Sequence, residues 1–325
     1  MCLSLRFVSA ALFVTIFVLA TNLVSAQTYP TKPVRIIVPF GAGGPGDTYT
    51  RLLAQRLSDS MKQPFIVETR PGAGAIVGSD AVAKSPPDGY TLLVVSNAHT
   101  TNESLNPNRP FSLMKDFAAV SPMNYADVMM VLNRDVEARS LMEFIALAKA
   151  KPGQINYASS GIGTVYHMAG ELLKSMTGID IVHVPHRASG DMRNSVLGGH
   201  VQMMFDAIPS IQPMVRAGQV RAIGTSGLKR SAATPDVPTI SEAGAHGFET
   251  SIWFGLMAPV GTPSEVVNQL DAEVRQAMAH PEIRDVWIGQ SVTPWTVSRG
   301  DFETFLREDI TKWERVVKTT GMKMN

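Results

Sequence analysis

The chain has 325 residues, 45% hydrophobic and 18% charged, with a formal net charge of +1 and one cysteine, Cys2. A balance this near neutrality excludes a broad nucleic-acid or membrane-surface interface, either of which calls for a basic patch. A lone cysteine excludes a disulfide framework and a thiolate metal site. In chain order, residues 1–26 come first. They have a basic start through Arg6, an apolar run Phe7–Ala20, and Val24-Ser25-Ala26 with small residues where a signal peptidase cuts. The run is short of the roughly 20 residues a span requires, so the segment reads as a secretory signal peptide with Gln27 as the first mature residue. Without Arg6 the mature chain is neutral, with 28 basic residues (29 less one) against 28 acidic. About 299 residues then remain, at the size where one core stops growing, and two domains are expected.

Strand-length apolar runs follow in alternation with helical patterns. The expected strands are Val34–Pro39, Phe65–Glu68, Thr91–Ser96, Val128–Asn133, Ile155–Ser159, Ile181–Pro185, Val201–Asp206, Val220–Thr225 and Phe254–Pro259. Tyr49, Leu52, Leu53 and Leu57 share one helical face, as do Leu141, Phe144, Ile145 and Ala148. Thr262-Pro263-Ser264-Glu265 predicts a helix with Thr262 at the cap and Pro263 at the first helical position. Ser298 and Asp301 form a capping-box pair before a stripe of Phe302, Phe305, Leu306, Trp313, Val316 and Val317. Such alternation predicts α/β architecture with parallel sheet covered by helices.

Three loops concentrate the chemistry. The first, in VRIIVPFGAGGPGDTYTRLL, is Gly41-x-Gly43-x-x-Gly46 between a strand and a helix, with Glu68 placed 22 residues past Gly46. That is the dinucleotide fingerprint in context. The same amides suit a carboxylate equally, and an exported protein meets little nicotinamide cofactor. Pro45 removes a donor, leaving the amides of Ala42, Gly43, Gly44 and Gly46, with Asp47 expected as the helix cap. The second loop, RPGAGAIVGSDAVA, turns at Pro71-Gly72, and Ala73, Gly74 and Ala75 are expected to begin a helix whose N-terminus adjoins the first loop. The third, YASSGIGTVYHMAGELL, offers the hydroxyls of Ser159, Ser160 and Thr164 with the amides of Gly161 and Gly163. A nucleophile elbow is absent, since Ala158 stands two before Ser160. His183 and His186 lack a third ligand for a metal. His183 reads as a packed residue, whereas His186, Arg187, His167 and His99 lie past strand ends where a ligand could be faced.

With YPTKPVRIIVPFGAGGPGD, ETRPGAGAIVGSDAVAKSPPDGYTLL, INYASSGIGTVYHMAGELL, LGGHVQMMFD, TPDVPTISEAG and FGLMAPVGTP, the chain resembles the Bug/TctC family over nearly all of Tyr29–Lys323. These are extracytoplasmic substrate-binding receptors of tripartite tricarboxylate transporters. The resemblance implies a two-lobed, Venus-flytrap α/β protein of the periplasm, each lobe a mostly parallel sheet flanked by helices. Residues 27–124 and 225–325 would form lobe 1 and 125–224 lobe 2. It implies a monomer without catalysis, cofactor or metal, whose cleft captures a small organic acid through backbone amides, hydroxyls and waters. Carried across, the pincers are Gly41–Asp47 and Ser159–Thr164, with Ala73–Ala75 and Ser96 lining the first lobe. His167, Arg187 and Asp206, which closes LGGHVQMMFD, join the site. The implied partners are integral membrane transporter subunits, or a membrane sensor kinase to which the receptor presents its ligand. A dinucleotide-dependent oxidoreductase using Gly41–Gly46 and Glu68 is the competing enzyme reading. The chain departs from the family pattern at His186-Arg187-Ala188-Ser189-Gly190, where Arg187 either meets a second carboxylate or is exposed. Tyr166 and His167 are larger than the expected residues and would shape the pocket toward a compact or aromatic acid.

Overall fold

In the computed structural model, which describes residues 29–321, each of the nine expected strands is present, eight within a few residues of their expected bounds and the one expected at Val128–Asn133 as the end of a longer strand. From Lys32 onward the chain forms one unit. Strand β1 (Val34–Val38) lies between β2 (Phe65–Thr69) and β3 (Thr91–Ser96), parallel to both. β5 (Asn156–Ser159) lies likewise between β6 (Val182–Pro185) and β7 (Met203–Ala207), again parallel. The crossovers are helical. They include α1 (Pro45–Met61), α2 (Ile76–Ala83), α3 (Asn97–Leu105), α4 (Leu113–Asp116), α5 (Leu141–Ala150), α6 (Val165–Thr177), α7 (Ser189–Leu197) and α8 (Ile208–Arg216).

The centre is not parallel, and this corrects the expectation from alternation. Strand β4 runs unbroken over Phe117–Asn133. Its first part pairs antiparallel with β9 (Ser251–Pro259) and β10 (Val292–Pro294), and its last part antiparallel with β7 and β8 (Val220–Thr225). The order is therefore β2-β1-β3-β9-β4-β7-β5-β6, with β8 and β10 on β4. Each half is parallel at its outer strands and antiparallel where β4 and β9 meet. The chain leaves one half along β4 and returns along β9, so these two strands must run in opposite directions. The first part of β4, FAAVSPMNYAD, lies outside the strand expected at Val128–Asn133 because Pro122 and Asn124 interrupt its pattern. Register shifts at Ala119/Ser121 and Pro122/Asn124 absorb both as bulges.

Three more helices complete the chain: α9 (Ser264–Ala279), α10 (Pro281–Gly289) and α11 (Arg299–Thr320). The capping box of α11 forms as expected, with Ser298 Oγ accepting the Asp301 amide at 3.1 Å and the Asp301 carboxylate accepting the Ser298 amide at 3.3 Å. Helix α9 starts one residue late, with Pro263 rather than Thr262 at its cap, because the Thr262 hydroxyl donates to Pro259 O at 2.8 Å. Phe302 and Leu306 of α11 fill a core with Ile37, Leu93, Val95, Trp253 and Met257. Gly255 in β9 makes this possible, since a Cβ there would stand 2.4 Å from the Phe302 ring. Farther along α11, Trp313 and Val316 bury against Leu105 of α3 and Met168 of α6, joining elements of the two halves.

Candidate functional site

All three glycine-bearing loops leave the carboxyl ends of parallel strands, where helix N-termini present unpaired amides. After β1, Gly44 caps α1 and Pro45 is its first residue, so Asp47 stands in the first turn rather than at the cap. Its carboxylate reaches back to accept the Gly43 amide at 2.9 Å, and Arg51 pairs with it at 2.8 Å. This corrects the expected role of Asp47 and shortens the list of free donors. Gly43 is taken, and Gly44 turns toward Gly41 O at 3.4 Å. The amides of Ala42, Gly46 and Asp47 have no partner among the described residues. Gly46 is required sterically, because a Cβ would meet the Phe254 and Phe40 rings at 3.0 and 3.1 Å.

The second loop differs from its expected form. Ala73, Gly74 and Ala75 do not open the helix; they form a left-handed turn with φ of 47°, 63° and 81°, and α2 starts at Ile76. For alanine that region costs roughly 1–2 kcal/mol per residue, strain of the kind that persists where surrounding structure enforces it. Asn102 of α3 enforces it here, donating from Nδ2 to Gly74 O at 2.7 Å. Gly74 also stands 3.7 Å, from its Cβ position, from Ile162 O in the third loop. Gly163 is likewise 3.8 Å from Asn102 Oδ1 and 3.6 Å from Leu105. Asn102 thus sits where the loops of the two halves meet. Ser96 is buried beneath, accepting the Ala98 amide at 3.3 Å, while His99 Nδ1 accepts the Ser96 amide at 3.0 Å and its Nε2 meets Ser79 Oγ at 2.9 Å. Burial lowers His99 to about 4, so it is neutral in neutral solution.

The third loop is held from behind. Ser159 is fully buried, and its Oγ meets His183 Nε2 at 2.6 Å and accepts the Gly161 amide at 3.1 Å. The Thr164 hydroxyl donates to Gly161 O at 2.8 Å. The Gly163 amide donates to His167 Nδ1 at 3.1 Å, which puts the imidazole proton on Nε2. Under the loop the rings of His167 and His183 stack at 3.8 Å, and Tyr157 stacks on His183 at 5.0 Å. Burial, then the neighbouring His183 and Lys174, lowers His167 to about 2; burial, then Lys174 and His186, lowers His183 to about 4. His167 therefore acts through Gly163. Ser159, Thr164, Gly161 and Gly163 spend their donors on the loop's shape, whereas half-buried Ser160 and Ile162 keep theirs open among the described residues.

Asp206, at the end of β7, is fully buried and accepts from Arg193 Nε at 2.6 Å and the Ala207 amide at 2.8 Å. Burial raises its carboxyl while Arg193 pulls it down, and the net shift is upward. Arg187 is exposed. Asn102 and Arg193 carry no local sequence signal, because the partners that define their roles, Gly74 and Asp206, are set by folding. Among the described residues no cluster of three or more acidic, His or Cys side chains is arranged for a metal, and no helix is long and apolar enough to cross a membrane. A cavity of about 810 Å³ lies apart from these loops, between α11 and the start of β9, lined by Glu249, Asp309 and Lys312 among others.

A mixed sheet in two halves flanked by helices, with the second and third glycine-bearing loops meeting at the join, is the two-lobed α/β periplasmic binding fold. Residues 49–322 match the TctC family, the tripartite tricarboxylate transporter family receptor, and the chain belongs to that family. Protein BugT of Bordetella pertussis is 35% identical over 303 residues, 93% of each chain. An R. palustris protein solved with adipate superimposes with a TM-score of 0.85 at 31% identity, covering 91% of this chain and 99% of that one. MatC from Rhodopseudomonas palustris, with bound malate, gives 0.82 at 31% identity, covering 89% and 100%. The family and these neighbours are binding receptors, not enzymes, so the dinucleotide reading of Gly41–Gly46 falls.

Proposed function

We propose that this protein is a periplasmic receptor that captures a small organic acid between two lobes and delivers it to membrane transporter subunits. Lobe 1 comprises residues 27–124 and 225–325, and lobe 2 residues 125–224. One ligand carboxylate is held by the open amides of Ala42, Gly46 and Asp47 from one side and by Ser160 and Ile162 from the other. Neutral, preorganised donors stabilise an anion without burying a fixed counter-charge. The observation that carries this reading is that a Cβ placed on Gly74 would stand 3.7 Å from Ile162 O, so loops from both halves come together at one point. Adipate and malate, seen in relatives of similar fold, make carboxylates the ligands to test. Closure around the acid would shift the population toward the form a membrane partner recognises.

Isothermal titration with mono-, di- and tricarboxylates and NAD(H) tests this. At least one carboxylate should bind and NAD(H) should not. Gly44→Trp should remove binding while the far-ultraviolet circular dichroism stays unchanged, because Gly44 has an ordinary φ of −77° and only Gly41 O nearby. Normal binding by that variant would overturn the first-loop assignment.

A further inference from the structure

The amide loops account for one carboxylate and treat a monoacid and a diacid alike. Resting on the receptor reading, we infer that Arg193, supported by the Tyr166 hydroxyl, receives a second anionic group, so that the protein selects dicarboxylates over matched monocarboxylates. Arg193 lies in the second turn of α7, and its side chain is 22% exposed while its partner Asp206 is 0% exposed. The guanidinium therefore sits where buried and open space meet. Only Nε is engaged, on Asp206 Oδ2, and both terminal nitrogens lack a partner among the described residues. Asp206, itself anchored by the Ala207 amide, fixes the plane of the guanidinium and leaves its outer fork free. That fork matches a carboxylate with two parallel N–H groups.

Tyr166 of α6 supplies the second observation. Its buried hydroxyl interacts with the Asp206 carboxylate and the Ala207 backbone, though it meets no partner in full hydrogen-bond geometry. It therefore backs the Arg193–Asp206 pair and keeps hydrogen-bonding capacity to spare. Asp206 lies at the carboxyl end of β7, which runs parallel beside β5, and β5 opens at the same edge into the third loop. Arg193, paired with Asp206, is thereby placed at that edge of the sheet. Arg187, the cation that sequence alone suggested, is exposed and has no side-chain partner to orient it among the described residues. A free arginine loses more side-chain entropy on binding than one already held by Asp206.

Titration calorimetry on matched pairs tests the inference: succinate with butyrate, adipate with hexanoate, malate with 2-hydroxybutyrate. In wild type at least one diacid should bind 10-fold or more tightly than its monoacid. Arg193→Gln should bring that ratio to about 1, a loss of about 10- to 100-fold for a charge-assisted bidentate contact. Arg193→Lys should retain part of the ratio, Tyr166→Phe should lower it by about 3-fold, and Arg187→Gln should leave it unchanged. Because Arg193→Gln strands a buried carboxylate, Arg193→Gln with Asp206→Asn is read alongside it as a pair that remains neutral. Equal binding of every pair in wild type would overturn the inference. So would a ratio that survives in a folded Arg193→Gln protein, or one lost in Arg187→Gln instead. Failure of every carboxylate to bind would overturn the receptor reading itself, a result distinct from equal binding.

Discussion

The loop after β1 and the loop after β5 share a Gly-x-Gly spacing and the same place at a strand's carboxyl end, yet they hold their shapes by opposite means. Gly41, Ala42 and Gly43 are exposed, and the loop is clamped from its own helix by the carboxylate of Asp47. Ser159 and Gly163 are buried, and their loop rests on a platform of His167, His183 and Tyr157. Similar glycine patterns can therefore encode a loop fixed by one ionic hydrogen bond and a loop fixed by packing. The first should respond to loss of a charge; the second should respond to volume and to acid.

The largest expected effect is on the packed loop. A Cβ at Gly170 would stand 2.3 Å from the Tyr157 ring, so Gly170→Val should displace the platform. Denaturant unfolding should show a loss of about 3 kcal/mol or more, with carboxylate binding lost in calorimetry. The equivalent insult in the first loop, Gly41→Ala, meets nothing within 4 Å and should change stability by less than about 1 kcal/mol.

Charge removal should reverse the ranking. Asp47→Ala frees the Gly43 amide and unpairs Arg51, and ligand affinity should fall about 10-fold, the scale of a hydrogen bond to a charged group. The fold should persist in circular dichroism. Equal affinity would show that the clamp does not shape the site.

Acid should act on the packed loop. His183 and His167 are lowered to about 4 and about 2, so between pH 6.5 and those values the unfolded chain binds protons that the native chain does not. Stability is therefore present above pH 6.5 and is lost as pH falls toward 4 and below. His183→Phe, which keeps the stack but cannot titrate, should move the acid-unfolding midpoint to lower pH. An unchanged midpoint would place the acid sensitivity elsewhere. Within the packed loop the smallest effect is expected from Thr164→Val, which deletes one hydroxyl bond to Gly161 O and should cost about 1 kcal/mol in denaturant unfolding.

What the chain states locally was legible without coordinates. The strands at Val34 and Thr91, the capping box at Ser298 and the three glycine-bearing loops all depend on residues within a few positions of one another. Periodicity and cap chemistry report such relations directly. What only the tertiary structure decided involves partners far apart in sequence. The antiparallel joining of β4 to β9, the left-handed turn at Ala73 held by Asn102 and the pairing of Arg193 with Asp206 are of this kind. Donor availability is of this kind too: the Gly163 amide and the Ser159 hydroxyl are engaged by His167 and His183 beneath the loop. The physical reason is that hydrogen-bonding capacity is a property of a residue, whereas its availability to a ligand is set by every other group that folding brings within reach.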